Sequence, residues 1–233
     1  MKKQEKKLTE KEKKRLEIIM EKRANLEKDG YACQEKIFSA FHMNVMGTLA
    51  MLPYIILMIA LFAALNLSAD INWQSLRMRN YFPSYGLFMV SLIAAFAVLI
   101  VLHELIHGIY FSCFVPGGWK SIDFGFNAAA FAPYCTCLEP LSKKAYIISA
   151  LMPTVFLGFL PCIIASFLGN AFILLLGLTM IFGGAGDFLM VYNLIKIKTK
   201  DRDVLFIDHP TEIGSLIFIK EKLWQRSQPF PLC

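Results

Sequence analysis

Four long runs of apolar residues follow one another along the chain, separated by polar segments. They are Val45–Leu67, Tyr85–Val115, Ala145–Leu168 and Ala171–Ile195. A helix needs about 20 consecutive apolar residues to cross a hydrocarbon core of roughly 30 Å, and each run is near or above that length. The pattern predicts a mainly α fold, a polytopic membrane helical bundle of about four transmembrane helices.

The polar segment between the second and third runs has a different period. It opens with the turn Pro116-Gly117-Gly118, and apolar and polar residues then alternate along Ser121–Asn127. Such alternation is typical of a strand. Phe131–Cys137 is the candidate partner strand, and Pro133 would confine it to an edge. We therefore predict a small β-hairpin here.

Composition agrees with a membrane protein, because 56% of the residues are hydrophobic and the mean hydropathy is +0.51. The net charge of +6 belongs mostly to the N-terminal tail, where residues 1–28 contain 11 Lys and Arg against 6 Glu. Nucleic acid is excluded as a partner because no aromatic or glycine-rich recognition module accompanies this charge. The expected surroundings are a lipid bilayer, and no pattern predicts an oligomeric state.

The apolar runs divide the chain into three regions. Residues 1–36 are predicted to form a charged juxtamembrane helix, with Thr9 and Glu12 as its capping box. We interpret this helix as solvated rather than as a coiled coil that binds a partner. Residues 37–195 form the membrane-embedded core, and residues 196–233 form a C-terminal segment.

Basic residues flank the runs unevenly. They are frequent in the N-terminal tail, in the segment after the second run and in the segment after the fourth run. The connection after the first run has only Arg77 and Arg79, and the turn Gly169-Asn170 has none. Because cytoplasmic loops carry an excess of Lys and Arg, we expect a multi-pass protein of the cell membrane. Both termini and the hairpin would lie on the cytoplasmic side.

The second run contains the motif His103-Glu104-Leu105-Ile106-His107. Residues four apart lie on one face of a helix, so His103 and His107 can share a metal ion, with Glu104 beside them. Imidazoles hold Zn²⁺, the metal lowers the pKa of its bound water, and a carboxylate takes the proton. A carboxylate at membrane depth is costly unless it is paired or functional. The alternative is that the motif only forms hydrogen bonds within the bundle.

Two histidines leave a zinc site one protein ligand short. Asp187, late in the fourth run, is the only charged residue in the other three runs. Gly183, Gly184 and Gly186 beside it would let helices approach closely. Asp187 is therefore a candidate third ligand, although an aspartate that caps a helix broken by glycine is the alternative.

At this point the chain resembles the putative zincin peptidase family of bacterial membrane proteins and, beyond it, the site-2-protease-like intramembrane zinc metalloproteases. The resemblance covers roughly Phe82 to Gly214. It rests on four motifs: His103-Glu104-Leu105-Ile106-His107-Gly108, Ser142-Lys143-Lys144, Gly186-Asp187 and Asp208-His209-Pro210-Thr211-Glu212. It implies that His103, His107 and Asp187 bind Zn²⁺ and that Glu104 is the catalytic base. The aspartate-histidine motif at residue 208 has no assigned role.

The function predicted from these features is that of an integral membrane zinc metalloendopeptidase. It would hydrolyse a membrane-associated peptide or protein substrate in or next to the membrane, with Glu104 activating a zinc-bound water. A membrane metal-handling protein without catalysis, either a transporter or a sensor, would use the same histidines and is the alternative. His209, before Pro210, is interpreted as a histidine in a turn.

Overall fold

The computed structural model describes residues 9–66, 84–127, 132–200 and 202–221. Five pieces of the predicted elements and terminal regions lie outside these ranges. They are Leu67 at the end of the first predicted span, Phe131 at the start of the second predicted strand, Asp201, and residues 1–8 and 222–233 of the terminal regions.

Helices make up most of the described chain. Their bounds are α1 Glu10–Lys28, α2 Ala40–Asn66, α3 Tyr85–Phe114, α4 Lys143–Thr154, α5 Leu160–Leu168, α6 Ala171–Gly183 and α7 Ala185–Ile195. A π-helical segment, Val155–Phe159, joins α4 to α5, and a 3₁₀ turn, Gly118–Ser121, follows α3. The strands are β1 Ala32–Ile37, β2 Ile122–Asn127, β3 Ala132–Cys137, β4 Leu141–Ser142, β5 Arg202–Asp208 and β6 Gly214–Glu221.

Within the described ranges, three helical segments are long and apolar enough to cross a membrane. They are Phe41–Asn66, Tyr85–Phe114 and Lys143–Leu168. Helices α6 and α7 meet the same test together but are bent by 45° at their junction. The predicted fold class is confirmed, since the described chain is mainly helical, with three or four such helices and a small amount of antiparallel β structure.

The helix ends follow from local side-chain chemistry. Thr9 and Glu12 form the predicted capping box at the start of α1, which satisfies two free backbone N–H groups. Helix α5 ends at Gly169, whose φ of +63° suits glycine, and the Asn170 side chain caps the first turn of α6. This pair makes the tight turn predicted between the third and fourth apolar runs.

The predicted hairpin is present as β2 and β3. The two strands are antiparallel, with a register that runs from Ile122 opposite Cys137 to Asn127 opposite Ala132. Gly108 of α3 lets this hairpin pack closely on the helix, because a Cβ there would lie 2.6 Å from Cζ of Phe124.

A second sheet unites segments that are far apart in the sequence. Its four strands have the order β1-β6-β5-β4, and every pair is antiparallel. Residues 32–36 belong to the region predicted as a juxtamembrane helix, but they form most of strand β1, because β6 offers them a partner edge. The sheet brings the N-terminal region, the segment before α4 and the C-terminal region together.

Helix α1 lies against this sheet. Ile19 is completely buried there with Ile207, Leu216 and Phe218. The helix is therefore docked along one face and is not solvated all round as interpreted from the sequence. Its two ends reach different neighbours, since Arg23 forms an ion pair with Glu35 of β1 and the residues near Thr9 approach the hairpin.

Candidate metal centre and active site

The two motif histidines lie on the inner face of α3. Only 9% of the His103 side chain and 7% of the His107 side chain is exposed. Their Nε2 atoms are 3.2 Å apart. This is the arrangement that the four-residue spacing predicts, with both imidazoles turned to the same point.

Asp187 completes a group of three possible ligands. Its Oδ2 lies 3.1 Å from His103 Nε2 and 3.4 Å from His107 Nε2. The ligand atoms of His103, His107 and Asp187 all lie within 4.8 Å of one another, and they form the one potential metal-binding group found in the part of the chain that the structure describes. The three residues singled out from the sequence are thus brought together from α3 and α7.

The donor set of this group fits zinc. Zn²⁺ takes imidazole nitrogen and carboxylate oxygen, and catalytic sites keep three protein ligands and one open position. His107 Nδ1 donates to the Ser149 carbonyl at 2.9 Å, with the tautomer assigned from this geometry. That bond leaves the lone pair of Nε2 directed at the group. The group is accessible on one side, since 31% of the Asp187 side chain is exposed and all three residues line a cavity.

A break between α6 and α7 carries Asp187 to the histidines. Gly184 separates the two helices, and Asp187 lies in the first turn of α7. A Cβ at Gly184 would overlap Thr154 Oγ1 of α4, and a Cβ at Gly47 of α2 would lie 2.6 Å from the Ala185 carbonyl oxygen. The backbone of α2 and the Thr154 side chain of α4 therefore lie directly against the break, as small-residue interfaces allow.

The glycine cluster acts differently from the sequence expectation. Of the three glycines expected to permit close approach, only Gly184 does so among the described residues. A Cβ at Gly183 or Gly186 would meet nothing within 4 Å there, since both residues line an open cavity.

Gly184→Ala is expected to weaken zinc binding. The φ of Gly184, −77°, is accessible to any residue, so the expected effect is steric. The new methyl group must push α4 away from the bend that holds Asp187, and such overpacking costs about 1–3 kcal/mol. Zinc titration of the purified protein measures the loss. Gly183→Ala, one residue away but in open space, is the control. Equal zinc affinities for the two variants would contradict this account of the bend.

Glu104 lies beside the ligand group and is half-buried. Its carboxylate accepts a hydrogen bond from the backbone N–H of Cys135 in β3. The hairpin is therefore the element that positions the predicted base. Neither the Cys135 N–H nor the Ser149 carbonyl has a side-chain signature, so sequence reasoning missed both.

A cavity of about 860 Å³ opens over this group. One wall is apolar, with Phe96 and Ile100 of α3 and Met180 of α6. Its other wall is polar and comes from α1, the hairpin and the turn between β5 and β6. The cavity thus joins an apolar wall to a polar one at the position of the three ligands.

The N-terminal end of α1 forms part of the polar rim. Lys11 Nζ lies 2.9 Å from Asp123 Oδ1 of the hairpin. Arg15 Nε donates to the Pro210 carbonyl at 2.7 Å, and its guanidinium lies 4.7 Å from the centre of the Tyr134 ring. One side chain therefore bridges the hairpin and the β5–β6 turn.

Cys135, Cys137 and His209 are not part of the ligand group. Cys135 and Cys137 are free thiols; burial raises the pKa of Cys135 well above its ordinary value and that of Cys137 to about 12. Both stay protonated at neutral pH, a form that binds metal poorly. His209 Nδ1 accepts from the backbone N–H groups of Thr211 and Glu212, as expected for a histidine in a turn.

Part of the chain matches a known protein family. No curated protein and no solved structure matches the chain. Residues 96–201 match the model of a family described as "Putative zincin peptidase", and this segment contains the two histidines, Glu104 and Asp187. Zincins are zinc metallopeptidases, so the match agrees with the donor set described above. Of the two resemblances drawn from the motifs, the one to the putative zincin peptidase family is thereby confirmed over residues 96–201.

Proposed function

We propose that this chain is an integral membrane zinc metalloprotease that hydrolyses peptide bonds in or next to the membrane. One observation carries the proposal: His103 and His107 from α3 and Asp187 from α7 converge at the floor of an open cavity, with Glu104 beside them. A structural zinc site would be closed by four protein ligands, whereas this group has three and an accessible side.

Each residue of the site has a role that follows from its contacts. His103, His107 and Asp187 would hold Zn²⁺, which when bound lowers the pKa of water towards neutrality and polarises a carbonyl. Glu104, held by the Cys135 N–H, would take the proton from the attacking water and return it to the leaving amine. The Ser149 carbonyl keeps the His107 ring in the orientation that binding requires.

The arrangement of the four-stranded sheet supports the proposed topology. β1 precedes the first span, β4 lies between the second and third spans, and β5 and β6 follow α7. Strands that pair in one sheet lie on one side of the bundle. This favours an even number of crossings, with α6 and α7 together as the fourth span. The Lys-rich tail favours the cytoplasm for that side.

The cavity supports a substrate that is itself membrane-associated. Its apolar wall suits a segment leaving the bilayer, and the polar wall beyond it suits the extended chain that follows. A helix must be unwound before one of its peptide bonds can reach a metal site. Near Asp187, where the apolar and polar walls meet, both water and an apolar segment of the substrate could be present.

Removal of the metal tests the proposal. Protein purified in detergent under zinc-replete conditions is expected to hold about one zinc per chain, because a catalytic site of three ligands binds one ion. Treatment with 1,10-phenanthroline should abolish hydrolysis of labelled casein, and added Zn²⁺ but not Mg²⁺ should restore it. Protein that holds no stoichiometric zinc would overturn the proposal.

A further inference from the structure

The motif Asp208-His209-Pro210-Thr211-Glu212 takes no part in the ligand group, yet its first residue lines the same cavity. Asp208 is the last residue of β5. It is a charged side chain held half-buried at the junction of the sheet, the hairpin and α4. A carboxylate in such a place requires hydrogen-bond donors.

Three donors meet this carboxylate. The Tyr146 hydroxyl donates to Oδ1 at 2.5 Å, and the Thr136 hydroxyl donates to Oδ2 at 2.8 Å. The backbone N–H of Cys137 donates as well. Tyr146 belongs to α4, whereas Thr136 and Cys137 belong to β3, so Asp208 connects three elements of the fold.

Helix α4 is connected through this carboxylate to the metal group. Tyr146 lies three residues before Ser149, whose carbonyl accepts from His107 Nδ1. The Tyr146 ring also packs on Phe111, and Phe111 stacks on His107 with ring centres 6.0 Å apart. The position of Tyr146 therefore affects the position of His107 through two contacts.

Strand β3 is connected to the catalytic base in the same way. Alternate residues of a strand direct their N–H groups to the same edge. The Cys137 N–H donates to Asp208, and the Cys135 N–H donates to Glu104. The two carboxylates thus contact the same edge of β3, at N–H groups two residues apart.

We propose that Asp208 is a positioning residue for this site, whose carboxylate holds α4 and β3 together so that Ser149 orients His107 and the Cys135 N–H orients Glu104. The proposal rests on the proposed function, because it assigns Asp208 a part in the same hydrolysis. It gives the motif at residues 208–212 a physical role, because the first residue of this motif connects the sheet to α4 and β3 beside the site.

Asp208→Asn tests this role in the full-length protein, with labelled casein as substrate. Asparagine keeps the size of the side chain but has one oxygen for the donors. We expect kcat to fall by about 10-fold or more, the range found when outer contacts of a metal site are removed. KM and zinc content under zinc-replete conditions should stay unchanged.

The two connections can be separated. Thr136→Val is isosteric and removes only the hydroxyl on the β3 side, so kcat should fall while the zinc dissociation constant is kept. Thr136→Ser retains a hydroxyl and should recover most of the loss. Tyr146→Phe removes the hydroxyl on the α4 side, and the zinc dissociation constant should rise by about 10-fold, a result that needs no activity measurement.

A second hydrogen bond between a tyrosine and an aspartate supplies matched controls. The Tyr31 hydroxyl donates to Asp203, which lies on β5 like Asp208 but outside the cavity. Tyr31→Phe and Asp203→Asn should keep wild-type kcat and zinc affinity. An Asp208→Asn variant that matches Asp203→Asn, or that changes only KM, would overturn the positioning role. So would Thr136→Ser and Thr136→Val variants with equal kcat.

Failure of the proposed function gives a different pattern. If the wild type holds zinc but hydrolyses nothing, the protease proposal fails, while the zinc titration of Tyr146→Phe still decides the α4 connection. A dissociation constant equal to that of wild type would then overturn the positioning proposal as well.

Discussion

Glu104→Gln is expected to leave zinc bound and to abolish peptide hydrolysis. Glutamine matches glutamate in size, and its amide oxygen can still accept from the Cys135 N–H, so the metal group should be undisturbed. A neutral amide cannot accept a proton from water at neutral pH. Because general base catalysis contributes about 10²–10⁴-fold, kcat for casein should fall by that amount with one zinc per chain retained.

This variant also separates an enzyme from a metal carrier that uses the same histidines. A transporter or sensor needs the ligands but not the base, so its zinc-linked activity would survive Glu104→Gln. Glu21→Gln, an exposed position on α1, is the matched control and should behave as wild type. Retained hydrolysis in Glu104→Gln would remove Glu104 from the mechanism.

Asp187→Ala is expected to lose zinc under conditions in which wild type retains it. Two imidazoles alone leave the ion without its third protein ligand and without the negative charge that Asp187 Oδ2 brings within 3.4 Å of both rings. The zinc dissociation constant should rise by more than about 100-fold, beyond the effect of outer contacts. Metal analysis beside His103→Ala gives the comparison.

Two further variants decide what Asp187 contributes. Asp187→Asn keeps the shape but not the charge, and it should also bind zinc weakly. Asp203→Ala removes a carboxylate of the sheet that lies outside the cavity and should keep full zinc content. If Asp187→Ala holds zinc like wild type, Asp187 only caps the first turn of α7, which is the alternative that the sequence left open.

The spans and the hairpin could be predicted because their signals are local. Apolar runs of sufficient length predict helices that can lie in a membrane, and the alternation of apolar and polar residues in Ser121–Asn127 predicts a strand. The motif histidines were predictable for the same reason, since four-residue spacing on one helix determines their separation. Asp187 stood out because a charge within an apolar run is costly.

The remaining features depend on contacts between distant segments. β1 has no strong pattern of its own, and it is a strand because β6 offers a partner edge across the whole chain. The docking of α1 depends on the pocket that receives Ile19. Gly184 has a different role from Gly183 and Gly186 only because Thr154 lies against it. None of these contacts leaves a periodic signal in the sequence.

By itself, then, the sequence determined the helices, the hairpin, the pair of histidines with Glu104 beside them, and the candidate status of Asp187, because each depends on residues close together in the chain. Only the tertiary structure decided that Asp187 meets the histidines, that backbone groups of Ser149 and Cys135 orient His107 and Glu104, and that Asp208 joins α4 to β3. The physical reason is that backbone groups are the same in every residue. Which of them faces a given side chain is set by packing rather than by sequence.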